Sequence, residues 1–105
     1  MIIDDYLDYQ KKYEKKYGPK TIILMQVGGF FEAYAIDNEK EKNNSENLYT
    51  ICDFLNIQIS RKNKNVQKIT RGNPLMAGFP LLAIDKFIQL LLNQKFTVVL
   101  IEQVT

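Results

Sequence analysis

Tyr6, Tyr9, Tyr13 and Tyr17 recur at spacings of three and four residues, the period of one helical face. They predict a helix over 4–17, capped by Asp4 or Asp5 and stopped by Gly18-Pro19. The tyrosines read as a packing stripe, with lysines at 11, 12, 15 and 16 covering much of the opposite face. Residues 21–27 form a β-branched, apolar run that reads as a buried strand. Gly28-Gly29 suits a tight turn with positive φ, and residues 30–35 supply the returning strand. A polar, charged loop over 37–47 follows, and Ser45 caps a helix over 46–55 that gathers Leu48, Ile51, Cys52 and Leu55 on one side. Ile57 and Ile59 alternate with polar residues as a third strand, and 60–73 reads as a flexible loop or poorly ordered hairpin. Residues 74–79 are extended, and Pro80 suits the first turn of a helix that runs to about Asn93 on a wide apolar face. A last strand covers 96–104. The order α-β-β-α-β-β-α-β predicts an α/β domain of α+β type: a mixed β-sheet of about five strands flanked by about three helices.

Composition sets bounds on this pattern. The chain has 105 residues, 46% apolar and 25% charged, which fits one domain spanning 1–105 with a single core. A net charge of +2 permits nucleic-acid binding without arguing for it. Cys52 is the single cysteine, so no intrachain disulfide can form. The acidic start Met1-Ile2-Ile3-Asp4-Asp5 does not resemble a signal peptide, and the apolar runs fall well short of the ~18 residues of a membrane helix. The expectation is an intracellular protein with no membrane partner.

Several chemistries are excluded. With no histidine, the chain lacks the commonest general base, the Ser-His and Cys-His nucleophile pairs, and the commonest zinc ligand. It has no G-x-x-x-x-G-K-[ST] loop for nucleotide hydrolysis and no G-x-G-x-x-G for a dinucleotide. A metal-dependent nuclease needs clustered carboxylates. Glu14-Lys15-Lys16 has a superficially suitable spacing but reads as a solvated helical face. The domain is expected to be no enzyme and to hold no metal or cofactor of its own.

The informative segment is Gly28-Gly29-Phe30-Phe31-Glu32. Side chains alternate across a strand, so Phe30 and Glu32 share one face and Phe31 points to the other. Spacing alone leaves two readings of Phe30. It is either a core residue or, if Phe31 is the buried one, an outward ring beside a carboxylate. An outward Phe can wedge into a base step from the minor groove, and a mispaired step resists unstacking least. The carboxylate would then accept a hydrogen bond from a base, or donate one if protonated.

This segment, Gly-Gly-Phe-Phe-Glu-Ala-Tyr over 28–34, resembles the Gly-Asp-Phe-Tyr-Glu-Leu-Phe element of MutS proteins. Residues 74–80, Pro-Leu-Met-Ala-Gly-Phe-Pro, are similar to that family's Pro-Met-Ala-Gly-Ile-Pro element. The match continues through Ala83, Leu90, Asn93-Gln94 and Glu102-Gln103. A weaker likeness to Leu-Asp-Ile-Ser-Leu-Thr-Lys-Arg runs from Leu55-Asn56-Ile57 to Arg61-Lys62. Order and spacing agree from about Tyr6 to Thr105. The sequence departs from the family pattern at Gly29 (usually Asp), Phe31 (Tyr), Leu82 (His in many members) and the longer 37–47 loop. The composition is closer to divergent viral or organellar members.

The resemblance implies a mismatch-recognition, N-terminal DNA-binding domain. Phe30 would stack on a mispaired or unpaired base from the minor groove and Glu32 would hydrogen-bond to it. Val27, Gly28, Gly29 and Met76 would lie near the duplex, and Arg61 and Lys62 would contact its backbone. The partners implied are double-stranded DNA with a mismatch or small loop, further MutS domains in the same chain, and a second subunit. ATP and Mg²⁺ would belong to the larger protein, of which this chain is expected to be an excised domain. The 61–72 loop carries Arg61, Lys62, Lys64, Lys68 and Arg71 with no acidic residue, and reads either as a solvated loop or as a phosphate contact. The rival expectation is a protein-interaction or structured-DNA-binding domain that keeps this fold without mismatch specificity.

Overall fold

The computed structural model describes residues 2–102. Three α-helices surround a six-stranded mixed sheet: α1 (Ile2–Tyr17), β1 (Thr21–Val27), β2 (Phe30–Asp37), β3 (Lys42–Asn43), α2 (Ser45–Leu55), β4 (Ser60–Arg61), β5 (Leu75–Pro80), a 3-10 turn (Leu81–Ala83), α3 (Ile84–Asn93) and β6 (Thr97–Ile101). The strand order is β4-β5-β2-β1-β6, with β3 paired to β2 off that path. β6 runs parallel to β1, reached through α3, and the other pairings are antiparallel. The five strands of the path are the number expected; the short β3 falls inside the segment read as a loop.

The core forms where each apolar stripe meets the sheet. β1 buries five consecutive residues because strands flank it on both sides and helices pack against it. On one face, Phe31 lies 6.2 Å from Phe79 of β5, whose ring stacks at 4.4 Å on Phe87 of α3. On the other, Tyr6 of α1 meets Tyr34 edge-on at 5.3 Å.

Local chemistry moves several boundaries. The tyrosine stripe of α1 is only partly a packing stripe. Its buried residues are Ile3, Tyr6, Leu7 and Gln10, while Tyr9 and Tyr17 lie on the surface. Asn44, not Ser45, occupies the N-cap of α2; it takes a left-handed conformation, and Ser45 is the first helical residue. The strand expected at Ile57 and Ile59 is displaced to Ser60–Arg61, and the two isoleucines pack on the core as irregular chain. Pro80 closes β5 instead of opening α3: its ψ of 150° is extended, and the 3-10 turn intervenes. The segment read as a flexible loop is tied together by Asn73. Its side-chain amide donates to the carbonyls of Val66 and Lys68, and its oxygen accepts from the N–H of Asn63. The last strand ends at Ile101 among the described residues; Gln103 and Val104 lie outside them.

β1 and β2 pair only beside their turn, where Met25, Gln26 and Val27 face Glu32, Phe31 and Phe30. Extending that register would set Ile23 against Tyr34, but the strands part there and side chains take over the exposed backbone groups. Gln10 accepts from the Ile23 N–H at 3.0 Å and donates to the Thr21 carbonyl at 2.6 Å. The Tyr6 hydroxyl donates to the Ile23 carbonyl at 2.8 Å, and Asn44 donates to the Tyr34 carbonyl at 3.0 Å. Buried backbone groups need such partners, which explains a fully buried glutamine in α1.

Candidate nucleic-acid interface

The β1–β2 turn places Phe30. Gly28 has φ of 58°, a conformation that costs side-chain-bearing residues energy, while Gly29 does not. Positive φ at the first central residue alone is the type II′ pattern, whose twist suits a two-residue hairpin. The turn is also anchored from outside: the Leu81 N–H donates to the Gly29 carbonyl at 3.0 Å.

Along β2, Phe30, Glu32, Tyr34 and Ile36 share a face. That face is open at one end and covered at the other. Phe30 is 49% exposed, Glu32 half-buried, and Tyr34 and Ile36 are sealed beneath the helices. The neighbouring Phe31 points into the core at 6% exposure. The outward reading of Phe30 therefore holds, and Phe30 and Glu32 stand on the same side of the sheet.

Register assembles the rest of the open end. β5 sets Pro80 beside Phe30, Gly78 beside Glu32 and Met76 beside Tyr34, and β4 sets Ser60 beside Met76. Phe30, Glu32, Gln58, Ser60, Met76, Ala77 and Gly78 line a shallow hollow of about 250 Å³. Two features shape Glu32 within it. The Tyr34 hydroxyl donates a hydrogen bond to Glu32 Oε1. Burial, and then this contact, push the Tyr34 phenol well above its ordinary range, so it stays protonated as a donor. Gly78 lies so close that a Cβ there would stand 2.8 Å from the Phe31 carbonyl oxygen and 3.1 Å from Glu32 Cγ. Neither Tyr34 nor Gly78 was singled out from the sequence. The available signals were the two-residue alternation continuing past Glu32, and a glycine inside a strand, which marks close approach of another backbone.

The structure brings Phe30, Glu32 and Met76 into one hollow, with Val27, Gly28 and Gly29 beside Phe30. It does not bring the basic residues there. Arg61 is in register with Leu75, which faces Ala35, five residues along β2 from Phe30. At the usual rise this is roughly 17 Å. The Arg61 guanidinium donates to the carbonyls of Val66 and Lys64, holding its own loop in shape. The Lys62 N–H donates to the Pro74 carbonyl. Arg71 is engaged by Asp4 and Glu41, at 2.7 and 2.8 Å. At the hairpin end, Leu82 is fully exposed just after the turn's anchor.

Among the described residues no group of three or more His, Cys, Asp or Glu side chains could hold a metal ion. Glu14 accepts from Gln10 and Asn47, bridging α1 to α2. Among the described residues no helix is long and apolar enough to cross a membrane.

A split mixed sheet with an aromatic ring and a carboxylate at one open end makes this a small α+β domain. The chain belongs to the MutS domain I family, whose model matches residues 6–105. Domain I is the DNA-recognition domain of that family and is not catalytic; the ATPase resides in another domain. The chain is also 35% identical over 99 residues to a mutS homolog of Acanthamoeba polyphaga mimivirus, named as a DNA mismatch repair protein. That match covers 93% of this chain and 8% of the relative.

Proposed function

We propose that this chain is the DNA-reading module of a larger mismatch-repair protein, and that it detects mispaired or unpaired bases with Phe30 and Glu32. Phe30 enters the minor groove at a weakened step and stacks on the displaced base, and Glu32 hydrogen-bonds to that base. The single observation that carries this reading is the half-exposed Phe30 ring standing with Glu32 on the open end of a sheet face. A ring kept for packing would be sealed as Phe31 is. Selectivity then comes from the lower cost of unstacking a mispaired step, a few kcal/mol at a paired one.

Val27, Gly28, Gly29 and Met76 border the groove, and Arg61 and Lys62 hold phosphate. Arg61 stands five residues along the sheet from Phe30, so the wedge and the phosphate contacts engage different parts of the site. Arg71 reaches phosphate only by exchanging Asp4 and Glu41 for the backbone. The remaining MutS domains act in the same chain, with a second subunit closing around the duplex and ATP and Mg²⁺ bound elsewhere. The protein works inside the cell on DNA.

The test is a binding titration of the full-length protein with matched, mismatched and looped duplexes at fixed salt. Phe30→Ala is expected to abolish the preference for mismatched over matched duplex. A preference retained by Phe30→Ala refutes the wedge.

A further inference from the structure

The Glu32 carboxylate has two oxygens, and they are not equivalent. Oε1 receives the Tyr34 hydroxyl, whereas the carboxylate has no further hydrogen-bond partner within the described chain. Tyr34 is itself fixed. Its ring is 1% exposed and met edge-on by Tyr6, and its carbonyl is held by Asn44. Across the strand, Gly78 leaves the space that the Glu32 side chain occupies.

We propose that Tyr34 is a positioning residue for base recognition: its hydroxyl pins Glu32 Oε1, so that Glu32 offers the groove a fixed hydrogen-bond acceptor. This rests on the reading of Glu32 as the base contact and adds a specificity to it. An acceptor aimed into the minor groove favours a base that presents an N–H. Those are the ring N–H of an unpaired thymine or guanine and the exocyclic amine of guanine, the one donor that the minor groove of paired DNA offers. Adenine and cytosine, whose amines lie on the major-groove side and whose pairing-edge ring nitrogens are acceptors, are disfavoured. Tyr34 stays a donor because its phenol holds its proton across the working pH range.

Removing only the hydroxyl keeps the packing. Tyr34→Phe in the full-length protein retains the buried ring and its contact with Tyr6. It is expected to lower the preference for duplexes with an unpaired thymine or guanine roughly three- to tenfold, the range of an ordinary intramolecular hydrogen bond. Affinity for matched duplex and its salt dependence stay unchanged, which a general structural role would not allow.

A second variant reads the orientation directly. In Glu32→Gln the Tyr34 hydroxyl keeps the amide oxygen, so the amide N–H₂ points outward and preference moves toward unpaired adenine and cytosine. In Tyr34→Phe/Glu32→Gln the amide is free to turn and that shift shrinks. If Tyr34→Phe leaves the ranking of bases intact while Glu32→Ala erases it, the positioning role is overturned and the base contact by Glu32 stands. An equal shift from Glu32→Gln in both backgrounds overturns it as well. If Phe30→Ala and Glu32→Ala both keep the parent's ranking, the wedge reading falls and the role of Tyr34 falls with it.

Discussion

Gln10 supplies from a helix the hydrogen bond that Ile23 would receive from a neighbouring strand, with its side-chain oxygen 3.0 Å from the Ile23 amide nitrogen. The same amide donates to Thr21, so one side chain satisfies two backbone groups inside the divide between β1 and β2. Gln10→Leu leaves the Ile23 amide without a partner and the Thr21 carbonyl with only the longer bond from Asn47 at 3.3 Å. An unsatisfied buried group costs about 1–3 kcal/mol, so a loss of at least that size is expected in thermal or denaturant unfolding. Hydrogen exchange at the Ile23 amide should quicken as well. Unchanged stability would mean that water replaces the glutamine.

Phe30 and Phe31 are neighbours in sequence with opposite duties. Phe31→Ala empties the contact with Phe79 and should cost about 3–5 kcal/mol, enough to unfold a marginal domain of this size. Phe30→Ala should change stability by less than about 1 kcal/mol, as surface substitutions do. Melting curves of the two variants separate these outcomes. A large loss from Phe30→Ala would assign that ring to the core.

Gly78→Ala places a methyl group against the Phe31 carbonyl and Glu32 Cγ. Overpacking of this kind costs about 1–3 kcal/mol. The expected result is a lowered midpoint together with weakened mismatch preference, since the strain falls on Glu32. A variant as stable and as selective as the parent would show that β2 and β5 separate there without cost.

Cys52 is buried in α2, and burial pushes its thiol up to about 11 from an ordinary value of 9.0. Tyr6 and Tyr34 are raised also, in both cases chiefly by burial. A folded-state value above the unfolded one favours the protonated fold, so this contribution is complete below pH 9 and is lost as pH rises toward 11 and beyond. Stability should therefore be level through neutral pH and decline above about pH 9, as followed by unfolding across an alkaline series. Native Cys52 should resist thiol reagents at pH 8 until the chain unfolds. Rapid labelling under native conditions would contradict its burial.

Lys62 and Arg61 should differ in how they fail. Lys62→Ala removes charge alone and should flatten the dependence of log binding on log salt by about 0.9 if it holds one phosphate. Arg61→Ala should also release the carbonyls of Lys64 and Val66, visible as faster exchange or proteolysis in 62–74. An unchanged slope for Lys62→Ala would remove it from the interface.

The sequence made the elements legible wherever period and punctuation agreed. The β-branched run of β1, the glycine pair and the alternation through Phe31 were enough to put Phe30 and Glu32 on one face and to expect the sheet. Sequence left open which face was covered. That was settled by the packing that buries Tyr34, met by Tyr6 of α1, and Ile36 while leaving Phe30 exposed. It also missed devices that depend on partners far along the chain. Gln10 looks like a surface helix residue until the strands are seen to part, and Asn73 looks like loop filler until its three hydrogen bonds are counted. The proline at 80 misled because its fixed φ serves an extended residue as well as a helical one. The basic segment was correctly read as charged, but only the β4–β5 register shows how far it stands from Phe30.

Gly28 alone carries the backbone demand of the hairpin, while a side chain added at Gly29 would meet nothing within 4 Å. The tip is thus divided into a fixed hinge and a vacant mounting point next to the exposed ring. A side chain can be placed at that mounting point without disturbing the scaffold beneath. Evolution, or a protein engineer, can change the surface beside Phe30 at residue 29 while the fold stays as it is.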